Sequence, residues 1–181
     1  ILDILERKAE QGVEVRLLYD GMGSQFLLPN HYDKYLETKG IKCRIFNEFR
    51  PFLSTAQNNR DHRKILVIDG TTAFNGGVNL ADEYINEKER FGHWKDTAVM
   101  LKGEAVWSFT VMFIQMWEWK TKQLSDYEKY RPANISQFNR ISEGYVLPYG
   151  DSPTDNEPVG ELVYLNIINT AQKYVLSLIH I

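Results

Sequence analysis

Helical and strand-like spacings of apolar residues alternate along most of the chain. Over 1–11 apolar residues recur with the period of a helix, and Gly12 follows at the position where glycine commonly ends one. Over 13–19 every second residue is apolar or aromatic, which indicates a strand. A helix joined to a strand by a short glycine connection is typical of α/β layer folds.

Further elements follow from the same spacing and from the positions of proline and glycine. Residues 29–39 predict a helix with Pro29 near its start and Gly40 just beyond its end. The pattern over 103–122 predicts a long helix whose Phe, Met and Trp residues pack in the core. The other predicted elements are strands over 41–46, 71–74, 97–101, 145–147 and 174–175, a helical turn over 80–86 and a helix over 158–173.

One strand differs from the others in its hydrophobic pattern. Residues 65–68 form an uninterrupted aliphatic run, which predicts a strand covered on both faces. Asp69 and Gly70 form a tight-turn signal, so the next strand is expected to fold straight back. Because Asp69 lies an odd number of steps along the chain from Lys64, it faces the other way on a regular strand. We expect it to anchor the turn rather than to carry a proton.

Candidate chemistry lies at the start of this hairpin. Side chains alternate along a strand, so His62 and Lys64 are expected on one face. An imidazole beside a fixed positive charge suits attack on a phosphoryl group, whose oxygens need a cation. The hairpin brings Gly76, Gly77 and Asn79 back to the same end. The glycines let a phosphate approach the backbone, and the Asn79 amide can donate to a phosphate oxygen.

Two loops leave alternatives open. Residues 20–24, which include Gly21 and Gly23, fit either a phosphate cradle or a plain turn. The aromatic and apolar residues within 47–59 are expected to lie over the mouth of the site. That stretch is either an ordinary connection or an apolar rim that touches lipid.

Composition narrows the function classes. The 181 residues are 43% hydrophobic and carry a formal net charge of −3, which argues against a general nucleic-acid binder. The single cysteine, Cys43, cannot form an internal disulfide and is expected to be a buried small hydrophobic residue. No apolar run in these residues reaches the length of a membrane span.

The residues around the hairpin resemble the phospholipase D superfamily. Its His-x-Lys-x4-Asp signature and the Gly-Gly-x-Asn that follows are matched by His62, Lys64, Asp69, Gly76, Gly77 and Asn79. Within the superfamily the chain is most similar to bacterial cardiolipin synthases, at 12–20, 59–64 and 94–97. The resemblance implies an α/β fold with a phospholipase D-like mixed sheet flanked by helices.

The resemblance also implies residue roles. His62 would attack phosphorus and form a phosphohistidine, while Lys64 and Asn79 would bind the phosphate. Asp96 would accept a hydrogen bond from the other ring nitrogen of His62, and Asp69 belongs to the signature. A histidine from a second signature copy would protonate the leaving alkoxide. No metal and no other cofactor is required, and the overall reaction would convert two phosphatidylglycerol molecules into cardiolipin and glycerol.

The resemblance suggests a domain organisation. Residues 1–124 would form one phospholipase D-like copy that lacks its first strand, with the signature segment at 57–84. Residues 125–140 would form a linker, and 141–181 would begin a second copy. The last residues, 176–181, match a translated sequencing-library end and are suspected to be an artefact. We expect the chain to be a fragment whose second signature copy lies in a missing C-terminal half.

The implied partners are phosphatidylglycerol and, through anchors missing from this chain, the bacterial cell membrane, with the catalytic domain at its surface. No nucleic-acid partner is expected. Two alternatives remain from the sequence: another phosphodiesterase or nuclease of the superfamily, and a non-catalytic module that binds phospholipid.

Overall fold

The helices and strands occupy the first two thirds of the chain, with one further helix near its end. The structure is a computed structural model, and it describes residues 1–24, 27–48, 60–90, 92–133, 144–152 and 156–176. Its helices are α1 (Leu2–Glu10), α2 (Gly21–Ser24), α3 (Tyr32–Thr38), α4 (Val106–Thr121) and α5 (Val159–Thr170). Its strands are β1 (Arg16–Asp20), β2 (Lys42–Phe46), β3 (Ile65–Ile68), β4 (Thr72–Gly76) and β5 (Ala98–Lys102). The described residues also contain two 3₁₀ turns, Asp82–Ile85 and Glu128–Tyr130.

The strands of the described residues form two sheets. Strands β1 and β2 pair in parallel, with Arg16 opposite Lys42 and Asp20 opposite Phe46. Strands β3, β4 and β5 form an antiparallel meander in that order. Parallel and antiparallel pairs flanked by helices confirm the predicted mixed α/β fold.

Helix α4 connects the two sheets because it packs against β2, β3 and β4. The residues it buries recur at helical spacing, and they are Val106, Phe109, Thr110, Ile114, Met116 and Trp117. The sequence pattern predicted this face with Phe113 in place of Ile114, but Phe113 is only half-buried. Val106 and Phe109 close over Ala73 of β4 to form one core cluster. Each large apolar side chain buried in this way contributes about 1.5–3 kcal/mol to folding.

A second core cluster lies under the parallel pair. Val15, Leu36, Ile41 and Cys43 are buried together there. Cys43 is fully buried, which confirms its predicted role as a small hydrophobic residue. Burial raises the pKa of its thiol to about 12.

The prediction that β3 is covered on both faces is wrong. Leu66 is 50% exposed and Ile68 is 45% exposed, whereas Ile65 and Val67 pack against the α4 cluster. The aliphatic run was a poor guide because it reports that a strand is apolar, not which faces have neighbours. Leu66 pairs in register with Phe74, which in turn pairs with Met100, so one face of the meander carries an apolar row.

Three other predicted elements differ from the structure. Residues 20–24 are not an open loop, since Gly21–Ser24 form one helical turn. Residues 145–147 and 174–175 form no strand, and Tyr145 is fully exposed. Their apolar patterns lack a sheet partner within the described part of the chain. Ladder hydrogen bonds, rather than the pattern alone, define a strand.

The described part of the predicted linker contacts helix α4 and the β3–β4 turn. The Ser125 backbone N–H and the Tyr127 hydroxyl both donate to Glu118. A Cβ at Gly70 would come within 2.5 Å of the Tyr130 carbonyl oxygen, so the hairpin turn lies directly against this segment. Helix α5 buries no residue. The predicted linker and second-copy residues 134–143 and 177–181 lie outside the described residues, as do 57–59 of the signature segment and most of the predicted rim, 49–59.

Candidate active site

The β3–β4 hairpin has the tight turn that the sequence predicted. Asp69 and Gly70 have φ angles of 52° and 63°, and the Thr71 N–H donates to the Ile68 carbonyl at 3.1 Å. Both positive φ angles match a two-residue primed turn, in which Asp and Gly are favoured. The exposed Asp69 side chain makes no hydrogen bond to the described part of the chain, so its predicted anchoring contact is not formed. Asp69 directly follows β3, whereas Lys64 directly precedes it, so the two lie at different ends of the strand. What Asp69 contributes to the turn is its left-handed backbone conformation.

The residues before β3 form an irregular segment, 60–64, that carries His62 and Lys64. His62 is exposed and Lys64 is half-buried. The Lys64 Nζ donates to the His62 carbonyl at 2.7 Å, and the Asn75 side chain donates to the Lys64 carbonyl at 3.2 Å. Ile65 pairs with Asn75, so the register runs on toward Lys64 and Gly76. The structure therefore brings Lys64 and the Gly76–Gly77 end of β4 together at the open end of the hairpin, away from its turn.

A carboxylate network holds the segment. Asp61 accepts hydrogen bonds from the backbone N–H of Arg63 at 3.1 Å and from its guanidinium at 2.9 Å. The backbone N–H of Asp61 donates to Asp20 Oδ2 at 3.0 Å, which links β1 to this segment. Sequence spacing did not reveal these contacts, because Asp20 and Asp61 are far apart along the chain.

Two opposing effects act on the pKa of Lys64. Burial lowers the pKa of Lys64, while the carboxylates of Asp61, Asp96 and Asp20 act in the opposite direction. A partly desolvated ammonium is a stronger electrostatic partner for a phosphate oxygen than one in open water. Lys64 is therefore suited to binding an anion.

Gly76 and Gly77 are needed for close packing against the chain around the start of β5. A Cβ at Gly76 would lie 2.6 Å from the Thr97 carbonyl oxygen. A Cβ at Gly77 would lie 2.5 Å from Asp96 Oδ1. The group that approaches these glycines in the structure is thus the 96–98 backbone and the Asp96 carboxylate. Their predicted role toward a phosphate stays a prediction.

Asp96 lies in a defined position beside β4. Its Oδ1 accepts from the Thr97 N–H at 2.7 Å, and its Oδ2 accepts from the Trp94 indole N–H at 3.1 Å. The His62 ring makes no hydrogen bond to any described residue, so the predicted bond between Asp96 and His62 is not formed here. Each carboxylate oxygen has two acceptor sites, so Asp96 retains capacity for a further donor. Its role toward His62 stays a prediction.

Trp94 and Asn86 are site residues whose roles the sequence did not reveal. The Asn86 side chain accepts from the Trp94 N–H at 2.6 Å and donates to the Trp94 carbonyl at 2.9 Å. Tyr84 meets the Trp94 ring edge to face, with ring centroids 4.9 Å apart. Asn86 adopts a left-handed conformation with φ of 61°, which a lone Asn in a charged stretch did not signal. These contacts fix the indole that binds Asp96.

Asn79 follows β4 by three residues and is half-buried. Its carbonyl accepts from the Ala81 N–H at 3.1 Å, whereas its side-chain amide makes no hydrogen bond to the described part of the chain. The amide is thus available to a ligand.

The described residues contain neither a metal-binding cluster nor a membrane-spanning helix. No group of three or more His, Cys, Asp or Glu side chains there is close enough to hold a metal ion. No helix within the described ranges combines the length and apolarity needed to cross a bilayer.

Comparison with known proteins adds independent information. A family model described as "Cardiolipin synthase, PLD-like domain" matches residues 1–117. An uncharacterized protein of Streptococcus mutans serotype c is 58% identical over 176 residues. Cardiolipin synthase 2 of Staphylococcus epidermidis is 44% identical over 175 residues, and the cardiolipin synthase of Alkalihalophilus pseudofirmus is 36% identical over 176 residues.

These three alignments cover 97% of this chain but only 34% to 37% of each relative. The chain thus spans about a third of the length of the curated relatives it matches. The family model covers more than half of the chain and includes the hairpin with its signature residues. The chain therefore belongs to the phospholipase D-like domain family of cardiolipin synthases.

Proposed function

We propose that this chain supplies one of two signature-bearing halves of a phosphatidyltransferase that makes cardiolipin. The family match carries this proposal. The complete signature supports it, because a degenerate binding module has no need to retain a nucleophile beside a cation. The chemistry also agrees with an exposed imidazole at His62, a half-buried ammonium at Lys64 and an Asn79 amide that has no hydrogen-bond partner among the described residues.

The reaction follows from these groups. A ring nitrogen of His62 attacks the phosphorus of one phosphatidylglycerol, and the bond from phosphorus to the glycerol oxygen breaks. A histidine of the second signature copy gives its proton to the departing alkoxide, so glycerol leaves neutral. The same histidine then takes the proton from the hydroxyl of a second phosphatidylglycerol. That oxygen displaces His62 from phosphorus, and cardiolipin is released.

Lys64 and Asn79 stabilise the charge that develops on the non-bridging oxygens during both steps. Asp96 orients His62 by accepting a hydrogen bond from its second ring nitrogen, which leaves the other nitrogen free to attack. Because one phosphodiester replaces another, the exchange needs no nucleotide energy source. The substrates are bilayer lipids, so the catalytic domain works at the surface of the bacterial cell membrane, held there by segments outside this chain.

The experiment uses the longer protein that contains this chain, mixed with phosphatidylglycerol vesicles. Mass spectrometry of the lipids should detect cardiolipin, together with free glycerol in equal amount. His62→Asn should abolish both products, whereas His93→Asn should leave them unchanged because His93 is exposed and outside the signature. An acid-labile phosphate on the wild-type protein that is absent from His62→Asn would identify the intermediate. Cardiolipin formation by His62→Asn at the wild-type rate would refute the proposal.

A further inference from the structure

Asp20 connects the parallel sheet to the segment that carries the candidate nucleophile. It is the last residue of β1, and its side chain is 13% exposed. Its Oδ1 accepts from the backbone N–H of Gly23 at 2.7 Å, which closes the α2 turn. Its Oδ2 accepts from the backbone N–H of Asp61 at 3.0 Å. One carboxylate thus binds two backbone groups that belong to different parts of the fold.

Few bonds tie the backbone of the receiving segment to the rest of the fold, since those from Lys64 Nζ to the His62 carbonyl and from the Arg63 N–H to Asp61 lie within the segment. Residues 60–64 belong to no strand or helix, so no ladder fixes their conformation. Lys64 is held by Asn75 at the β3 end. Asp61 is held by Asp20 at the other end. His62 lies between these two attachments, and its own ring has no hydrogen-bond partner among the described residues.

We propose that Asp20 is a positioning residue that fixes the backbone of the His62 segment against the end of β1. This inference rests on the proposed function for its kinetic consequence. The α2 turn uses the Gly23 N–H for Asp20, so that N–H is not available to a phosphate. The structure therefore assigns to Asp20 an indirect role, through the backbone groups that it holds.

A carboxylate is required because both of its oxygens accept. An asparagine at this position has one acceptor oxygen and one N–H₂ donor, so either Gly23 or Asp61 would face a donor instead. A partly buried donor left unsatisfied is destabilising, because it has lost water without gaining a partner. Arg60 lies 3.9 Å from Asp20 Oδ1, too far for a hydrogen bond, so it cannot take over the positioning.

Hydrogen exchange in the wild-type chain gives the first test without any variant. The Asp61 amide should exchange at least tenfold more slowly than the amide of exposed His62 next to it. Equal exchange rates for the two amides would overturn the proposal, since Asp61 would then have no lasting partner.

The second test compares Asp20→Asn with a matched control, Asp126→Asn. Asp126 resembles Asp20 because it accepts a hydrogen bond from a backbone N–H of a helical turn, that of Glu128, at 3.1 Å. It differs in place, because this turn contacts Glu14, just before the start of β1. Imidazole NMR signals should shift for His62 in Asp20→Asn and stay unchanged for His31 and His93. In Asp126→Asn all three should match wild type. An unshifted His62 signal in folded Asp20→Asn would overturn the proposal.

The kinetic arm uses the longer protein. Asp20→Asn should lower kcat about 100-fold through displacement of the nucleophile, while KM changes less than twofold and the melting temperature stays above the assay temperature. Wild-type kcat in Asp20→Asn would refute the positioning role. Absence of cardiolipin with the wild-type protein would instead refute the proposed function, and the exchange and NMR results would still decide the role of Asp20.

Discussion

The indole N–H of Trp94 donates a hydrogen bond to Oδ2 of Asp96 across 3.1 Å. The bond holds the carboxylate beside Gly77, just after the end of β4. Asn86 holds the backbone of Trp94 on both its N–H and its carbonyl, and Tyr84 packs against its ring. Trp94 is thus the link between a turn of the charged stretch and the carboxylate that we propose orients His62.

Trp94→Phe tests this link. Phenylalanine keeps the edge-to-face contact with Tyr84 but removes the donor to Asp96. Because the bond is exposed, its loss should destabilise the fold by no more than about 1 kcal/mol. Loss of orientation of Asp96 should lower kcat about tenfold. Steady-state kinetics and urea unfolding of the longer protein measure the two effects separately.

Trp119→Phe is the matched control, since the Trp119 ring packs at a tilt against Phe46 of β2, with ring centroids 5.1 Å apart, rather than against Asp96. It should retain wild-type kcat. If Trp94→Phe and Trp119→Phe were equally active, Trp94 would have no positioning role.

Gly77→Ala addresses the close approach of Asp96 to the backbone. The added Cβ would lie 2.5 Å from Asp96 Oδ1, so the carboxylate must move. Activity should fall by about 100-fold, because misplacement near 1 Å is enough for such a loss. The crystal structure of the variant should show Asp96 displaced from its bond with Thr97.

Gly150→Ala is the control for this substitution. A Cβ there would meet only the flexible side chains of Met112, at 3.3 Å, and Arg63, at 3.6 Å, and both distances leave room for a methyl group with little movement. Its activity should equal that of wild type. A fully active Gly77→Ala would show that the position of Asp96 seen here is not the one that matters for turnover.

The hairpin could be predicted from sequence because its signal is local. Asp69 and Gly70 both adopt positive φ angles, and few residue pairs other than Asp-Gly do so readily. The buried face of α4 could be predicted for the same reason, since the spacing of its apolar residues shows which of them share a side. In both cases the sequence neighbours determine the outcome.

The parts that were missed depend on distant neighbours. The exposure of Leu66 and Ile68 depends on whether another layer covers the meander, which a run of apolar residues cannot show. The bond from Asp61 to Asp20 joins the irregular segment before β3 to the end of β1, about forty residues earlier in the chain. Signature residues were found by resemblance, whereas the residues that hold them in place have no comparable motif.

Glu14 predicts a pH dependence of stability. Burial by itself raises its pKa, but hydrogen bonds from Lys129 and Arg16 outweigh that effect and hold the pKa at about 2, below the ordinary 4.5. Between these values the unfolded chain binds more protons than the folded one, so stability rises with pH. The contribution of Glu14 is therefore complete above about pH 4.5 and is lost as the pH falls toward 2.

Glu14→Gln should lower the free energy of unfolding by about 1–3 kcal/mol at pH 7. The difference from wild type should shrink steadily between pH 4.5 and 2 in urea titrations. Glu128→Gln is the control, because the Glu128 side chain is 72% exposed in its pair with Arg131 and should matter by less than about 0.5 kcal/mol. A Glu14→Gln deficit independent of pH would contradict the assignment.

The last prediction concerns these 181 residues by themselves. They contain one complete signature, and the proposed reaction needs a second histidine to protonate the departing glycerol. Without that proton the leaving group is an alkoxide, which departs far too slowly for turnover. The purified chain should therefore form no cardiolipin from phosphatidylglycerol vesicles, while the longer protein forms it under the same conditions. Cardiolipin from the isolated chain, lost in His62→Asn, would mean that one signature, or two copies of this chain together, suffices for the whole reaction.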